Sequence, residues 1–590
     1  MNRRKHSAFY RDIRIVQAGV ILLTLVLLGF TAHLQVFSRE TCLDRLFVDA
    51  VTLERVDRLV RSGAIRLDAQ DRIFLDEAVL SGIFYSHYTK NRIRSLIPHM
   101  EVEQGRPVLP ESSVSVHYPG NLKRQVRRGA ILDRNLDVLA EGPERKRRYP
   151  MGAAGYPVTG AIHPVYRSSG MERVLDLLLA GRQPVGIGAH IRQLIWGAGT
   201  PPPDVILTIN SAVQQALYNA MNGYTGAGVV LDVRTGNILA AVSVPAFDPS
   251  DASRVNWQRI HDPDLSLNRC WNRRYPPGST FKIVNAAALM ESKAVDGGFH
   301  YDCKGRHFET KVDEHLGHAH GDVNVESAIR VSCNVFFCEA AIRLKSELKT
   351  MANRFGFNRD LPLLPSELAG RLPEPDRLSS RIYELDELVT ARNPDTGRIF
   401  LRTRYTAYTS RDYERNLGTT GRTGFGQGTV EATPLQMALV ASVIANRGIR
   451  IDPNLVEGVR FEGGQVVRFE PRPGERIVSR ETADRIAKAM ESVMIRGTGG
   501  GMPRLYRHPV EGLQLRQWVP WKDCIPVAGK TGTAEVTGKT DHSWFIGFAP
   551  VDEPQYAVAV ICENSGQGSH HAGPVAMKVL ETLFKNRQNN

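Results

Sequence analysis

The longest uncharged apolar run of the chain covers residues 15–38 and includes IVQAGVILLTLVLLGF. As a helix it would span roughly 36 Å, enough for a hydrocarbon core of about 30 Å. The segment before it is basic, so the positive-inside rule predicts a cytoplasmic tail over 1–14 and an extracytoplasmic remainder. A cleaved signal peptide is the alternative. The apolar run is long for a signal peptide and no small-x-small cleavage site follows it, which favours a single-pass anchor.

The remaining apolar pattern predicts an α+β domain. After the linker-like GAGTPPP (197–203), DVILTI predicts a strand and NSAVQQALYNAM a helix capped by Asn210. AGVVLDV and NILAAVSV flank a hairpin turn, SWFIGFAP and QYAVAVICEN form a second strand pair, and GPVAMKVLETLF predicts a closing helix. Strands at both ends with helical sequence between them predict one sheet completed by N- and C-terminal pieces.

Composition narrows the possible classes. Of 590 residues, 42% are apolar and 23% charged, which excludes a disordered or fibrous chain. The net charge of +13 favours anionic partners, but no nucleic-acid-binding motif supports nucleic acid over a solvated basic surface. The seven cysteines include no C-x-x-C pair, which argues against a disulfide framework and against a cysteine-type zinc site.

The first candidate chemical motif is Ser279-Thr280-Phe281-Lys282. YPPG precedes it and the apolar FKIVNAAALM follows, so Ser279 is predicted at a helix N-terminus with Lys282 one turn later on the same face. A buried amine beside positive charge can be neutral enough to accept a serine proton. N–H groups at the helix N-terminus can bind a developing oxyanion. Taken alone, the tetrad could equally be a helix-capping serine.

Two further motifs follow in order along the chain. Ser332-Cys333-Asn334 is predicted at the tip of a helical turn, where the hydroxyl and the amide can point to one site. Lys530-Thr531-Gly532-Thr533 stands ahead of the second strand pair. Gly532 permits close approach to the strand, Lys530 supplies charge and the threonine hydroxyls can bind a carboxylate. No G-x-x-x-x-G-K frame precedes the lysine, which excludes a Walker A motif.

The three motifs together resemble those of penicillin-binding proteins, and the whole chain resembles the class B members of that family. RGAILDRNLDVLA (128–140) is similar to the family's pedestal signature, except that Leu136 replaces the usual glycine. Residues 226–250 and 425–448 are similar to its transpeptidase domain. The resemblance implies an anchor over 15–38 and an elongated pedestal over 39–200. It also implies a transpeptidase domain over 204–590, with an antiparallel sheet flanked by helices and an all-helical subdomain.

The resemblance also implies an activity: D,D-transpeptidation of peptidoglycan through a serine acyl-enzyme, in the periplasm. Its substrates would be stem peptides of the lipid-linked precursor and the nascent glycan, and β-lactams would inhibit it. A separate polytopic glycan polymerase would be its partner. No cofactor, metal or nucleic acid is implied. The implied catalytic roles are nucleophile for Ser279, general base for Lys282 and proton relay for Ser332. Asn334 would bind the peptide amide, Lys530 would give electrostatic support, and Thr531 and Thr533, around Gly532, would bind the carboxylate. The N–H groups of Ser279 and Thr533 would form the oxyanion hole.

Other classes remain open alternatives. A membrane-tethered β-lactam sensor would need more membrane segments or a cytoplasmic signalling domain, and a hydrolase would need a deacylating water. An inactive scaffold is disfavoured because all the motif residues are intact. The loop histidines His315, His318 and His320 resemble metal ligands, but the resemblance implies a loop without metal. Cys333 and Cys338 are predicted to be buried thiols and not a disulfide.

Overall fold

The computed structural model describes residues 128–163, 167–180 and 202–586, the last range apart from gaps at 252, 254–258, 294, 296–297, 370–371, 374, 393–398 and 408. It also describes four short strands nearer the N-terminus. The chain divides into two compact units, Met1–Arg124 and Gln125–Asn590. In the first unit, Ile65–Leu67 pairs with Ile73–Leu75 and Glu101–Glu103 pairs with Arg106–Val108, both antiparallel.

The predicted tail, anchor and most of the predicted pedestal lie outside the described residues. Within the part of the chain that the structure describes, no helix is long and apolar enough to cross a membrane. The boundary predicted near residue 200 also remains a prediction, since 181–201 is not described.

A five-stranded antiparallel sheet forms the centre of the second unit. Its order is β5 (Ile238–Val244), β4 (Gly226–Asp232), β10 (Tyr556–Cys562), β9 (His542–Ala549) and β8 (Ala528–Ala534). Both predicted hairpins are present, and the first strand joins the last: Gly226 lies opposite Cys562. The α+β prediction is therefore confirmed, with the sheet built from both ends of the domain.

Helices cover both faces of this sheet. On one face lies α5 (Pro434–Ala445), every residue of which is buried. On the other lie α1 (Ser211–Ala220) and the closing helix α7 (Ala572–Asn586). Successive residues of β4 accordingly enter different cores: Val229 packs in one and Val230 in the other. A strand buried on both faces has a continuous apolar sequence and not an alternating one, as AGVVLDV does.

A second five-stranded sheet joins the 128–140 segment to the rest of the unit. Its order is β7 (Val466–Arg468), β6 (Val456–Arg460), β3 (Asp204–Leu207), β1 (Ile131–Leu132) and β2 (Val138–Ala140). Only the pairing of β1 with β3 is parallel.

The turn between β1 and β2 contains the unusual leucine. Leu136 has φ +72°, the left-handed conformation that the glycine expected at this position would adopt freely. The buried Asp133 carboxylate holds the turn by accepting N–H bonds from Asn135 and Asp137 at 2.7 and 2.9 Å. Its other oxygen accepts from the hydroxyl of Ser211, at the start of α1, at 2.8 Å. The signature segment is thereby tied directly to the helix that covers the central sheet.

Four helices carry or support the motif residues: α2 (Lys282–Glu291), α3 (Val325–Val331), α4 (Asn334–Leu344) and α6 (Arg480–Arg496). They pack on one another, and α6 also packs on β8. The other α-helices of the described residues are Gly152–Thr159, Gly170–Val174, Asp176–Leu179, Pro263–Ser266, Ser346–Phe355, Ser410–Arg415 and Leu417–Thr423. The remaining strand pairs are Ile162–His163 with Arg167–Ser168, Tyr301–Cys303 with Gly321–Val323, Arg306–His307 with Val312–Asp313, Glu384–Arg392 with Ile399–Ala407, Ile449–Arg450 with Glu475–Arg476, and Arg504–His508 with Gly512–Arg516.

Candidate active site

Ser279 lies in a single 3₁₀ turn, Gly278–Phe281, that runs directly into α2. Lys282 is the first residue of that helix and is fully buried, whereas Ser279 is partly exposed. The nucleophile candidate is thus at a helix N-terminus with the lysine one turn on, as the sequence predicts. Among the described residues, no hydrogen bond to the Ser279 hydroxyl is found.

The lead-in to this turn is anchored on the central sheet. The Tyr275 hydroxyl donates to the Glu563 carboxylate at 2.7 Å, and the buried Arg269 guanidinium donates to the same oxygen at 3.0 Å. The indole N–H of Trp544, on β9, donates to the Pro276 carbonyl at 3.0 Å. These bonds fix the backbone immediately before Ser279.

Two glycines let the Ser279 turn lie against β8. Gly278 has φ +54°, and a Cβ added there would lie 2.7 Å from the Thr533 carbonyl oxygen. A Cβ on Gly532 would lie 2.9 Å from the Thr280 side chain. Neither position can accept a side chain without movement. The Ser279 turn and β8 can therefore come into backbone contact because glycine occupies both positions, 278 and 532.

Gly278→Ala is expected to lower the free energy of unfolding by more than Gly223→Ala, its matched control. Both glycines have positive φ, +54° and +85°, where an L residue costs about 1–2 kcal/mol. Nothing lies within 4 Å of a Cβ at Gly223, so only Gly278→Ala adds a clash with Thr533. Urea unfolding of the two variants measures the difference. Equal losses would contradict a requirement for close approach at Gly278.

Ser332 forms the turn between α3 and α4. It has φ +61° and ψ +44°, a left-handed conformation that is rare for a residue other than glycine and that is typical of functional sites. The turn is closed by the Cys333 N–H, which donates to the Ala328 carbonyl at 2.9 Å. Asn334 then begins α4. The turn directs the Ser332 hydroxyl and the Asn334 amide toward the same lysine.

Both lysines bind the Ser332 hydroxyl. Lys282 Nζ lies 3.2 Å from Ser332 Oγ, 2.6 Å from the Ser332 carbonyl oxygen and 2.7 Å from Asn334 Oδ1. Lys530 Nζ lies 2.9 Å from Ser332 Oγ and 2.9 Å from the Thr531 carbonyl oxygen. The structure therefore joins all three motifs through one serine hydroxyl, although they are separated by some 250 residues of chain.

The charge of the two buried amines is the main electrostatic feature of the site. Burial lowers the pKa of Lys282 to about 8, and the nearby Glu314 carboxylate opposes that shift. Burial, and then the positive charge of Lys282, lower the pKa of Lys530 well below its usual value. Two buried ammonium groups beside one hydroxyl repel each other, so a neutral amine is accessible near neutral pH. A neutral Lys282 can accept a proton, as a general base must.

The other Lys530 motif residues lie along β8 beside the Ser279 turn. Thr531 is nearly buried, and its hydroxyl lies 2.5 Å from the hydroxyl of Thr498. Thr533 is partly exposed and next to Gly278. Sequence reasoning missed Thr498, although its setting in the glycine-rich GTGGG after α6 was a signal for a close-packed loop.

A carboxylate that the sequence analysis did not select lies behind the Ser332 turn. Glu314 is 5% exposed, and its Oε1 accepts the Val335 N–H at 2.7 Å and the Cys333 thiol at 3.0 Å. This oxygen serves the first turn of α4, where N–H groups have no helical partner and negative charge is favourable. Glu314 thus holds the end of the helix that presents Asn334.

The same carboxylate belongs to a group of metal-ligand side chains. Within the described part of the chain, ligand atoms of Cys303, Glu314, His320 and Cys333 all lie within 4.8 Å of one another. Of the three loop histidines, only His320 belongs to the group. The argument from C-x-x-C spacing against a cysteine-type metal site does not extend to this group. That spacing detects local ligand pairs, and these two cysteines come from a strand and a distant helix turn.

The cysteine prediction otherwise agrees with the structure. Cys333 and Cys338 are both buried free thiols, as are Cys270, Cys303 and Cys562, while Cys524 is a free thiol of intermediate exposure. The Cys338 thiol lies 3.3 Å from the Thr310 hydroxyl, away from the Glu314 group. Cys42 lies outside the described residues.

Comparison with known proteins decides the family. Residues 226–581 match the penicillin binding protein transpeptidase domain. The chain belongs to this family. It is 29% identical over 469 residues to peptidoglycan D,D-transpeptidase PbpA of Mycolicibacterium smegmatis, covering 74% of this chain and 84% of the relative. It is 28% identical over 458 residues to peptidoglycan D,D-transpeptidase MrdA of Acinetobacter baumannii, covering 71% and 61% respectively.

Solved structures of the family include a covalent penicillin complex. Penicillin-binding protein A of M. tuberculosis, as its penicillin G acyl-enzyme, superposes on this chain with a TM-score of 0.60 at 26% identity, covering 78% of this chain and 99% of the other. The penicillin-binding transpeptidase fold is thus confirmed for the second unit. The motif residues of the family converge in it at one site.

Proposed function

We propose that this protein is a peptidoglycan D,D-transpeptidase that cross-links stem peptides through an acyl-enzyme on Ser279 and that β-lactams inhibit. The observation that carries the proposal is the convergence of Lys282 and Lys530 on the Ser332 hydroxyl, with Asn334 bound to Lys282, beside the Ser279 turn. Membership of the transpeptidase family and the names of the relatives support it.

In the acylation half-reaction, the Ser279 oxygen attacks the carbonyl carbon between the two terminal D-alanines. The serine proton passes to neutral Lys282, and the negative oxygen is bound by the N–H groups of Ser279 and Thr533. The carbon–nitrogen bond then breaks. Ser332, hydrogen-bonded to both lysines, gives a proton to the departing D-alanine amine and recovers one from Lys282.

The substrate is held by the remaining motif groups. Thr531 and Thr533, on either side of Gly532, bind the terminal carboxylate, and the positive charge beside Ser332 favours that anion. Asn334 holds the peptide amide. In the second half-reaction an amine of another stem peptide attacks the ester, its proton returns through the same relay, and Ser279 is released.

The penicillin acyl-enzyme is expected to persist for many minutes or longer. A transpeptidase must admit an amine and exclude water from its ester, so hydrolysis of a β-lactam adduct is slow. Labelling with a fluorescent penicillin, removal of free label and timed loss of the covalent band measure the lifetime. Turnover within seconds would indicate the alternative, a tethered β-lactamase.

We further propose that the chain is a single-pass protein of the bacterial inner membrane with its catalytic unit outside the cytoplasm. The uncharged run at 15–38 and the basic residues before it support this topology. A separate polytopic glycan polymerase would supply the glycan strand. Holding polymerase and transpeptidase together raises the effective concentration of the nascent strand at Ser279.

Replacing residues 15–38 by an unrelated membrane helix is expected to leave penicillin labelling unchanged and to reduce cross-linking in cells. The active site is unaltered by this change, whereas a partner surface would be lost. Muropeptide analysis of complemented cells measures the cross-links, with the wild-type chain as control. Full cell-wall function from a chain lacking residues 1–40 would contradict both the anchor and the partner.

A further inference from the structure

We propose that Cys303, Glu314, His320 and Cys333 form a binding site for one zinc-type divalent cation, directly behind the Ser332 turn. The four side chains come from the strand Tyr301–Cys303, from the loop that follows it and from the start of α4. Three of them are buried, and the His320 side chain is 21% exposed.

The spacing of the donor atoms fits a tetrahedral ion. Glu314 Oε1 lies 3.0 Å from Cys333 Sγ, 3.7 Å from Cys303 Sγ and 3.8 Å from His320 Nδ1. Cys303 Sγ lies 3.7 Å from His320 Nδ1. Zinc bonds of about 2.0–2.3 Å place tetrahedral ligand atoms roughly 3.3–3.8 Å apart. The four separations given lie inside that range or a few tenths of an ångström below it, and all the donor atoms lie within 4.8 Å of one another, so side-chain movements can bring them onto one ion.

The chemistry of the donors selects the ion. Two thiolates and an imidazole are soft or borderline ligands, which favour zinc over magnesium or calcium. Four protein donors leave no open position, as in structural and not catalytic zinc sites. Because cysteine binds zinc as the thiolate, the ion displaces the thiol protons of Cys303 and Cys333.

The site lies directly against the Ser332 turn, so a bound ion would affect the conformation of that turn. Cys333 separates Ser332 from Asn334, and its sulfur accepts the Phe336 N–H at 3.3 Å. Glu314 accepts the preceding N–H, that of Val335, at 2.7 Å. An ion held by both side chains would clamp the start of α4 to the loop at 303–320. It would thereby stabilise the left-handed Ser332 conformation on which the two lysines converge.

In the test, the full-length protein is equilibrated with excess Zn²⁺ or Co²⁺ and then dialysed. The metal that remains bound is measured by elemental mass spectrometry. The expected result is one ion per chain, and for Co²⁺ the sulfur charge-transfer and intense visible bands of a tetrahedral thiolate site. The double variant Cys303→Ser/His320→Ala is expected to retain less than a tenth of the metal and to melt at a lower temperature than the loaded wild type. Cys338→Ser, a buried thiol outside the group, is the matched control and should bind one ion.

Several results would overturn the site. These are no metal in the wild type, equal metal in the double variant, or cobalt spectra without sulfur bands. A Cys303–Cys333 disulfide in metal-free wild-type protein would also overturn it. If the double variant fails to fold, the wild-type cobalt spectrum still decides. Any effect of the ion on acylation by penicillin rests on the proposed function. The metal content of the protein does not depend on that function, so the two proposals can fail separately.

Discussion

Ser279→Ala is expected to abolish covalent labelling by penicillin and to leave the melting temperature nearly unchanged. The acyl bond needs the Ser279 oxygen, because the neighbouring Thr280 hydroxyl is buried and donates to the Pro277 carbonyl at 2.6 Å. The side chain is partly exposed and has no hydrogen bond among the described residues, so its loss is expected to cost less than about 0.5 kcal/mol of folding free energy. Gel fluorescence and thermal melts measure the two effects.

The matched control for this change is Ser346→Ala, an exposed serine at the start of the helix Ser346–Phe355. It removes a hydroxyl from another helix N-terminus, and labelling should stay at the wild-type level. A Ser279→Ala protein that melts normally and is still acylated would show that the nucleophile is another residue, which peptide mapping of the label would identify.

Lys282→Met and Lys282→Arg are both expected to slow acylation by about a thousandfold or more, while Ser279 stays in place. Methionine removes the amine, and arginine keeps a positive charge but cannot accept a proton. Stopped-flow or timed labelling with penicillin gives the second-order rate constants. A near wild-type rate in Lys282→Arg would mean that charge, and not proton transfer, is what Lys282 supplies.

The pH dependence of the wild type provides an independent check on the same residue. Because a base must be unprotonated and burial lowers the pKa of Lys282 to about 8, the acylation rate should rise with pH up to about 8 and then level off. Between about 8 and the usual lysine pKa of 10.5, the unfolded chain binds the proton that the folded chain has lost. The stability of the wild type relative to Lys282→Met should therefore increase with pH across that window.

Local pattern was enough to predict the elements that carry the site. Continuous apolar runs gave β4, β5, β9 and β10 because each of these strands is buried on both faces. The Asn210 cap is present as predicted, with its side-chain oxygen accepting the Ala212 N–H at 3.1 Å. Motif spacing likewise predicted Ser279 one turn ahead of Lys282.

Features built from distant parts of the chain were not predictable in this way. Glu314 was overlooked because its partner, the Val335 N–H, belongs to a helix that starts 20 residues later. The Cys303–Cys333 approach depends on how a two-stranded ladder packs against α4, and no periodicity reports it. The left-handed Leu136 was visible only as a departure from an expected glycine, since side-chain pattern does not encode φ.

The pairing of β4 with β10 has a consequence for how the protein is made. Synthesis delivers residue 226 long before residue 562, yet these two lie opposite each other in the finished sheet. The early β4–β5 hairpin therefore has an unpaired apolar edge until β10 has been synthesised. A strand edge exposed in this way pairs slowly with its distant partner and is prone to aggregation. Chaperone protection would be most valuable in this interval. A premature stop anywhere before Tyr556 would remove the strand that joins the early hairpin to the later one, and with it the support for the Lys530 strand.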